Sequence, residues 1–322
     1  MKREGDMKMR ILIGYDGSES ADAALDDLLR AGLPREVEAL IVSVSEIVMP
    51  PSSVGHEVVG PPLTSRRLTA VLAHAEAQAA QKLKEAEELA AKAGASLRSS
   101  FPDWNVETVG LAGDPSTELI NKADEWKADL VVVGSHGRSA LGRFMLGSVS
   151  KKVVTDSHHS VRVVRGTVKQ NGGLPPKIMI GVDGSSEAER AVRAVGVRVW
   201  PEATEVRIIA VDDGTAPPGI SNVLPASMTR SGNEKVSEAA CMMVEWAENE
   251  LRAIGLQVSV AIEKGDPQRV LIEEARKWDA SSIFVGGRKF SGAMERFRLG
   301  SVSTALVTKA HCPVEVVRSA TN

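Results

Sequence analysis

The feature that most constrains this chain is an internal repeat. The segment I-L-I-G-Y-D-G-S from Ile11 to Ser18 returns as I-M-I-G-V-D-G-S from Ile178 to Ser185, an offset of 167. Further on, A-G-D-P-S (Ala112 to Ser116) is answered by K-G-D-P-Q (Lys264 to Gln268), and L-G-S-V-S (Leu146 to Ser150) recurs from Leu299 to Ser303, at offsets of 152 and 153. Self-similarity on this scale makes the chain a duplication of one folding unit. The drop in offset leaves about fourteen or fifteen surplus residues in the first copy before Ala112, and the Pro/Gly/Ser-rich stretch from Val48 to Pro62 is their natural home. Between the copies, Gly166 to Pro176 is polar and rich in breakers, which suits a linker centred near Gly172. The expected division is residues 1–168, a linker at 169–176, and residues 177–322. A length of 322 residues independently fits two domains.

Within each copy, short β-branched runs alternate with amphipathic stretches, the signature of a parallel sheet covered by helices. In the first copy the expected strands are Arg10 to Tyr15, Ala39 to Val44, Asn105 to Val109, Leu130 to Gly134 and Val161 to Arg165. Ala21, Ala24, Leu25, Leu28 and Leu29 follow helical spacing behind a capping Ser18 or Ser20. A long Ala-rich helix runs from about Ser65 to Ala93, with Gly94 as its terminating residue. Asp114-Pro115 and Gly147-Ser148 open two more. The second copy repeats the pattern, with strands near Lys177 to Val182, Val206 to Val211, Gln257 to Ile262, Ser282 to Gly286 and Val314 to Arg318, and helices after Ser185, Asn233, Pro267 and Ser301. The fold class expected is α/β: two tandem open parallel five-stranded sheets with helices on both faces, Rossmann-like.

Composition removes several classes of function. Hydrophobic residues make up 43% and charged residues 25%, as in ordinary globular proteins. Lys and Arg against Asp and Glu stand at 20 to 23 through Val168 and 19 to 19 beyond it, so neither half is a basic nucleic-acid platform. No stretch approaches 18 apolar residues and the N-terminus does not resemble a secretory leader, so the expectation is a cytoplasmic protein that does not enter membranes. Cys241 and Cys312 match no metal spacing and read as reduced packing residues.

In an open parallel sheet, ligands sit off the carboxyl ends of the strands where strand order reverses. The loop after strand four reads G-S-H-G-R-S-A-L-G-R-F-M-L-G-S, from Gly134 to Ser148. Glycines there let backbone N–H groups approach phosphate oxygens, and Gly147-Ser148 opens a helix whose amino end favours an anion. No Walker G-x-x-x-x-G-K-[ST] and no G-x-G-x-x-G is present. The spacing of Gly134, Gly137, Gly147 and Ser148 resembles the nucleotide loop of ATP-binding universal stress proteins. That resemblance extends to G-Y-D-G-S, to the closing H-C-P-V-E-V-V-R and to the element order.

The resemblance implies an adenine nucleotide in the first copy, ATP or else ADP or AMP, with or without Mg²⁺. Asp16 would contact the adenine or ribose side, or brace a turn through an Asx bond. Val44 would pair with the base through its backbone, Gly113 and Asp114 would line the ribose, and Gly134, Gly137, Gly147, Ser148 and Val149 would hold phosphate. Arg138 would screen the phosphate charge, with His136 and Arg143 beside it. His158 and His159 read as companions of a helix dipole and not as catalytic groups. Carried over at an offset of 153, Gly134 becomes Gly287 and Gly137 becomes Phe290, which predicts a degraded second phosphate loop, although Gly286-Gly287 offers another register. Asp183 and Val211 persist, so a base pocket is expected to survive there.

The terminal strands V-R-V-V-R and V-E-V-V-R would be apolar edges if unpaired, so pairing inside one chain, as a pseudo-dimer, is expected. Hydrolysis is expected to be slow at best, since no base or Mg²⁺ carboxylate is evident. Competing readings are a nucleotide-free scaffold for a protein partner and an ATP-using enzyme of the related adenine nucleotide α-hydrolase group. The latter is disfavoured because G-Y-D-G-S-E-S replaces the expected S-G-G-x-D-S.

Overall fold

A computed structural model of the chain describes residues 8–46, 65–137, 146–165, 175–214, 238–287 and 299–319. The first half contains β1 (Met9–Gly14), α1 (Glu19–Asp27), β2 (Val37–Ser45), α2 (Ser65–Ser100), β3 (Asn105–Ala112), α3 (Pro115–Trp126), β4 (Leu130–Gly134), α4 (Ser148–Asp156) and β5 (Ser160–Val164). The second contains β6 (Lys177–Val182), α5 (Ser186–Gly196), β7 (Glu205–Asp212), α6 (Glu238–Ala253), β8 (Gln257–Lys264), α7 (Pro267–Lys277), β9 (Ser282–Gly286), α8 (Ser301–Lys309) and β10 (Val314–Val317). Every expected strand is present, with ends shifted by at most three residues. The Val48 to Pro62 surplus, most of the linker and Asn233 lie outside the described residues.

The ten strands form one sheet in the order β3-β2-β1-β4-β5-β10-β9-β6-β7-β8. All neighbours are parallel except β5 and β10, which join the halves in antiparallel register. The expected internal pairing of the terminal strands is therefore what the chain adopts, and each unpaired apolar edge is removed. Strands buried on both faces alternate their side chains between two layers. Leu12, Val131 and Val133 face α3 and α4, in a core that continues across the joint to Met179, Ile283, Leu306 and Val314. On the other face Ile11, Ile13 and Leu130 pack with α1 and α2, and Ile178, Ile180 and Phe284 pack separately with α5 and α6.

That second face is bridged by charge. Arg162 of β5 stands opposite Glu315 of β10, and the two occupy the same place in the repeat. Arg162 Nε donates to Asp27 at 2.6 Å, and Nη1 donates to Glu315 at 3.2 Å. Arg198, just beyond α5, donates to the other Glu315 oxygen and to the Ala31 carbonyl, each at 2.5 Å. Burial opposes the charge on Arg162, but Asp27 and Glu315 outweigh it and hold that guanidinium more firmly protonated than usual. Arg198 is shifted the other way, by burial first, despite the attraction of Glu315.

Three local readings need correction. The long helix does not stop at Gly94 but runs on to Ser100. A Cβ on Gly94 would lie 2.5 Å from Thr108 Cγ2, and one on Gly110 would lie 2.5 Å from the Glu87 backbone nitrogen. These glycines serve the close approach of α2 to β3 instead of ending the helix. After Asp27 the first helix tightens into a 3₁₀ turn, Leu28–Arg30, which buries Leu28 and turns Leu29 outward. His158 and His159 lie past the end of α4 and turn their rings to Asp124 of α3, at 3.4 and 2.8 Å. Cys312 is buried as expected, and burial pushes its thiol up to about 12, while Cys241 is half-buried. No helix among the described residues is long and apolar enough to cross a membrane.

Arg162→Leu leaves Asp27 and Glu315 buried without their shared cation, and should cost about 3–5 kcal/mol in urea unfolding of the whole chain. Arg162→Leu/Glu315→Leu should cost clearly less than the two single changes added together, because the cycle isolates their coupling. A single-variant loss below about 1 kcal/mol would mean that the joint does not rest on this pair.

Candidate functional site

Strand order in the first half departs in opposite directions from β1 and β4, so a crevice opens between their carboxyl ends. The end of β2 forms one wall. The Val42 carbonyl accepts from Tyr15 N–H at 2.9 Å on the β1 side, and the Ser45 carbonyl accepts from Gly113 N–H at 3.1 Å on the β3 side. Successive residues of a parallel strand present their backbone to alternate neighbours. The Val44 N–H and C=O therefore turn toward β1, beyond the last β1 to β2 register pair, Gly14 with Val42. Val44 thus offers a donor and an acceptor side by side at the crevice.

The loop after β1 turns tightly at Gly17, whose φ of 75° favours glycine. Asp16 Oδ1 accepts from Ser18 N–H at 3.0 Å, so the Asx brace considered for Asp16 is present. Its other oxygen looks across the crevice: a Cβ on Gly137 would lie 3.0 Å from Asp16 Oδ2. Ser18, not Ser20, caps α1 by accepting from Ala21 N–H at 3.2 Å. Ser20 instead fastens the two loops together: its hydroxyl bonds the His136 carbonyl and accepts from His136 N–H at 3.2 Å. A Cβ on Gly134 would lie 2.6 Å from Ser20 backbone atoms, so this glycine lets α1 close on β4. Burial first, then the charge of Arg165, lowers the pKa of His136.

The remaining wall comes from α3 and α4. Gly113 precedes Asp114, which caps α3 by accepting from Thr117 N–H at 2.8 Å and from the Ser116 and Thr117 hydroxyls, each at 2.6 Å. These bonds, that of Ser116 foremost, hold the Asp114 carboxyl well below the usual carboxylate range. Lys152 of α4 reaches the same oxygen at 3.3 Å. Gly147 starts α4 and donates its N–H to the Ser135 carbonyl at 2.8 Å, which fixes the first turn, with Ser148 and Val149, beside the strand end. Ser150, which sequence reasoning passed over, donates to the Gly134 carbonyl at 2.6 Å. Its signal was the second serine of L-G-S-V-S, since Ser303 donates likewise to Gly286 at 3.2 Å. Arg138 and Arg143 lie outside the described residues. The other expected site residues, Asp16, Val44, Gly113, Asp114, Gly134, Gly137, Gly147, Ser148 and Val149, gather around the crevice.

In the second half the register needs one change. Gly286 ends β9, pairs with Val317 as Gly134 pairs with Val164, and accepts the Ser303 hydroxyl. Gly286, not Gly287, is the structural counterpart of Gly134, so the offset is 152 at the strand end and 153 at Gly300. The connection between them is one residue longer than in the first half. Counted from the strand end, Lys289 answers Gly137. Lys289 and Phe290 both lie outside the described residues.

Comparison with known proteins agrees with this architecture. The model of the universal stress protein family matches residues 7–165 and again 176–318. A universal stress protein of Mycolicibacterium smegmatis is 29% identical over 205 residues, an alignment that spans 59% of this chain and 62% of that protein. One of Mycobacterium bovis is 24% identical over 323 residues, 96% of this chain and 94% of its own. The crystal structure of a universal stress protein from Archaeoglobus fulgidus superposes with a TM-score of 0.65 at 21% identity, covering 96% of this chain and 98% of that one, and shows the same fold.

Asp114→Ala removes the cap of α3 and should lower stability by about 1 kcal/mol, whereas Asp114→Asn should lose less. Because the folded carboxyl titrates below its ordinary 3.8, its contribution is complete above that pH and is lost as pH falls below it. Urea titrations should therefore show a gap between wild type and Asp114→Ala that is constant near neutrality and closes only in stronger acid.

Proposed function

The chain belongs to the universal stress protein family, and from that premise we propose that its first half, residues 1–168, holds an adenine nucleotide, ATP in the first instance, between the carboxyl ends of β1 and β4. The observation that carries this is the convergence on one crevice of an outward-turned backbone pair at Val44 and an uncrowded glycine at Gly137, which faces Asp16. The backbone pair suits the edge of a base, a neutral recognition that needs no charged side chain. Gly137 and the first turn of α4, with Ser148 and Val149, offer N–H groups to phosphate at a helix amino end. Gly113 with the fixed carboxylate of Asp114 would border the ribose, and Arg138 would screen the phosphate.

Among the described residues, no group of three or more His, Cys, Asp or Glu is placed to hold a metal. A Mg²⁺ ion would therefore reach this site on the phosphates of the nucleotide. We read the nucleotide as a regulatory ligand whose occupancy alters the loops around it. Those loops, tied by Ser18 and Ser20 to His136, form the surface a protein partner would sense. We read the chain as cytoplasmic, a compartment in which a cysteine such as Cys312 stays reduced.

Heat denaturation of freshly purified protein should release about one adenine nucleotide per chain, identified by chromatography. Readdition of ATP at 100 times its dissociation constant should stabilise the stripped protein by about 2.7 kcal/mol. Gly137→Val places a Cβ against Asp16 and should weaken nucleotide binding by at least about tenfold. Unchanged affinity in that variant would remove the phosphate from this loop.

A further inference from the structure

Arg165 follows β5 and Arg318 follows β10, at the same place in the repeat. In each half the backbone sets that arginine beside the glycine loop. Gly134 pairs with Val164, and Ser135 N–H donates to the Val164 carbonyl at 2.7 Å, so loop and strand run on side by side to His136 and Arg165. Likewise Gly287 N–H donates to the Val317 carbonyl at 2.8 Å, and a Cβ on Gly287 would lie 3.2 Å from Arg318 Nε. Both side chains then cross the joint. Arg165 Nη2 donates to the Val307 carbonyl in the last turn of α8 at 3.4 Å, and Arg318 Nη2 donates to the Val154 carbonyl in the last turns of α4 at 2.5 Å.

The two arginines differ in what neutralises them. Burial lowers the pKa of Arg318, and Asp156 at the end of α4 opposes that shift. The residue of α8 at the place of Asp156 is Lys309. Arg165 is half-buried, burial lowers its pKa with no acid to oppose it, and among the described residues no carboxylate pairs with it. Its Nε is shielded from solvent and has no hydrogen-bond partner. Residues 138–145 of the loop and 166–174 after the strand contain no Asp or Glu. A cation drawn out of water without a counter-charge is unfavourable, and an anion brought near it offsets part of that penalty. The charge of Arg165 is felt in the loop: after burial, it is what lowers the pKa of His136, so His136 itself is neutral at physiological pH.

We propose that Arg165 is a positioning residue for phosphate: a fixed cation beside the His136-Gly137 loop, braced on the second half, that makes the first crevice favour a charged ligand over an uncharged one. The site itself rests on the nucleotide reading given above, whereas the preference for charge rests on Arg165.

The test uses the full-length chain stripped of nucleotide, with ATP, adenosine and inorganic tripolyphosphate as probes in isothermal titration. Arg165→Met, which keeps much of the side-chain length without the charge, should weaken ATP and tripolyphosphate by about tenfold and leave adenosine within about twofold of wild type. Arg165→Lys should restore most of the loss, because a charge and not a planar fork is what acts here. Equal losses for adenosine and ATP, or a loss that Arg165→Lys does not restore, would make the role of Arg165 structural and overturn the proposal. Unchanged affinity for ATP and tripolyphosphate in Arg165→Met would overturn it as well. If tripolyphosphate shows the dependence on Arg165 while adenosine does not bind and ATP gains nothing over tripolyphosphate, the reading of a base in the first half falls and this proposal stands. A wild-type chain that binds neither ATP nor tripolyphosphate would overturn both.

Discussion

The architecture depends on how an arginine at the centre of a buried joint is neutralised. Arg162 is 1% exposed, and the strand pairing sets it directly against the residue that occupies its own place in the second copy. Had duplication left the two positions identical, the joint would bury two like charges about its pseudo-twofold axis, and each would face the full desolvation cost with repulsion added. Divergence to Arg162 and Glu315 turns that conflict into attraction. Asp27 and Arg198 complete an alternating chain of two acids and two bases on the face where the apolar cores are separate. The opposite face needs no such device, because its core runs unbroken across the joint.

This pairing also makes the joint specific. Arg162 beside a second Arg162, or Glu315 beside a second Glu315, cannot form the network, so the first half of a chain is matched to the second half and not to another first half. The backbone repeats the message: Val199 N–H donates to the Gly32 carbonyl at 2.9 Å, and Arg198 donates to Ala31, each a pair of repeat-related positions in contact. Arg165 and Arg318 mirror one another, reaching the carbonyls of Val307 and Val154 across the joint. Burial lowers Arg318 to about 10, so even this outer pair is drawn into the low-dielectric interior. Because β5 and β10 run antiparallel, the carboxyl ends of the two sets of strands emerge at opposite edges of the ten-stranded sheet.

Much of this was legible in the sequence because duplication prints the same signals twice. Strand runs, the Asp-Pro helix starts and the Gly-Ser start of α4 rest on local chemistry, and local chemistry survives in the fold. The misread residues are those whose reason is a distant neighbour. Gly94 looked like a helix end, and only the proximity of Thr108 explains it. Gly287 looked like the partner of Gly134 because the longer loop conceals a one-residue shift that the ladder to β10 reveals. Asp27 and Arg198 carried no pattern at all, since their partners are 135 and 117 residues away. One hint was available: V-R-V-V-R and V-E-V-V-R differ by a reversal of charge in the middle of an apolar strand, where an isolated charge would be intolerable.

The same divergence that fixes the joint separates the two crevices. Backbone geometry at the strand ends is dictated by the fold, so Val44 and Val211 keep the same orientation whatever surrounds them. Side chains around the strand ends are not so constrained, and there the copies part: Ser20 and Ser45 give way to Glu187 and Asp212, and Lys152, which reaches Asp114, gives way to Ala305. Other neighbours move the opposite way, since Glu19 and Glu118 give way to Ser186 and Val270, and Thr117 to Arg269. The sheet thus keeps the backbone of the two crevices alike, while the side chains around them are left free to vary.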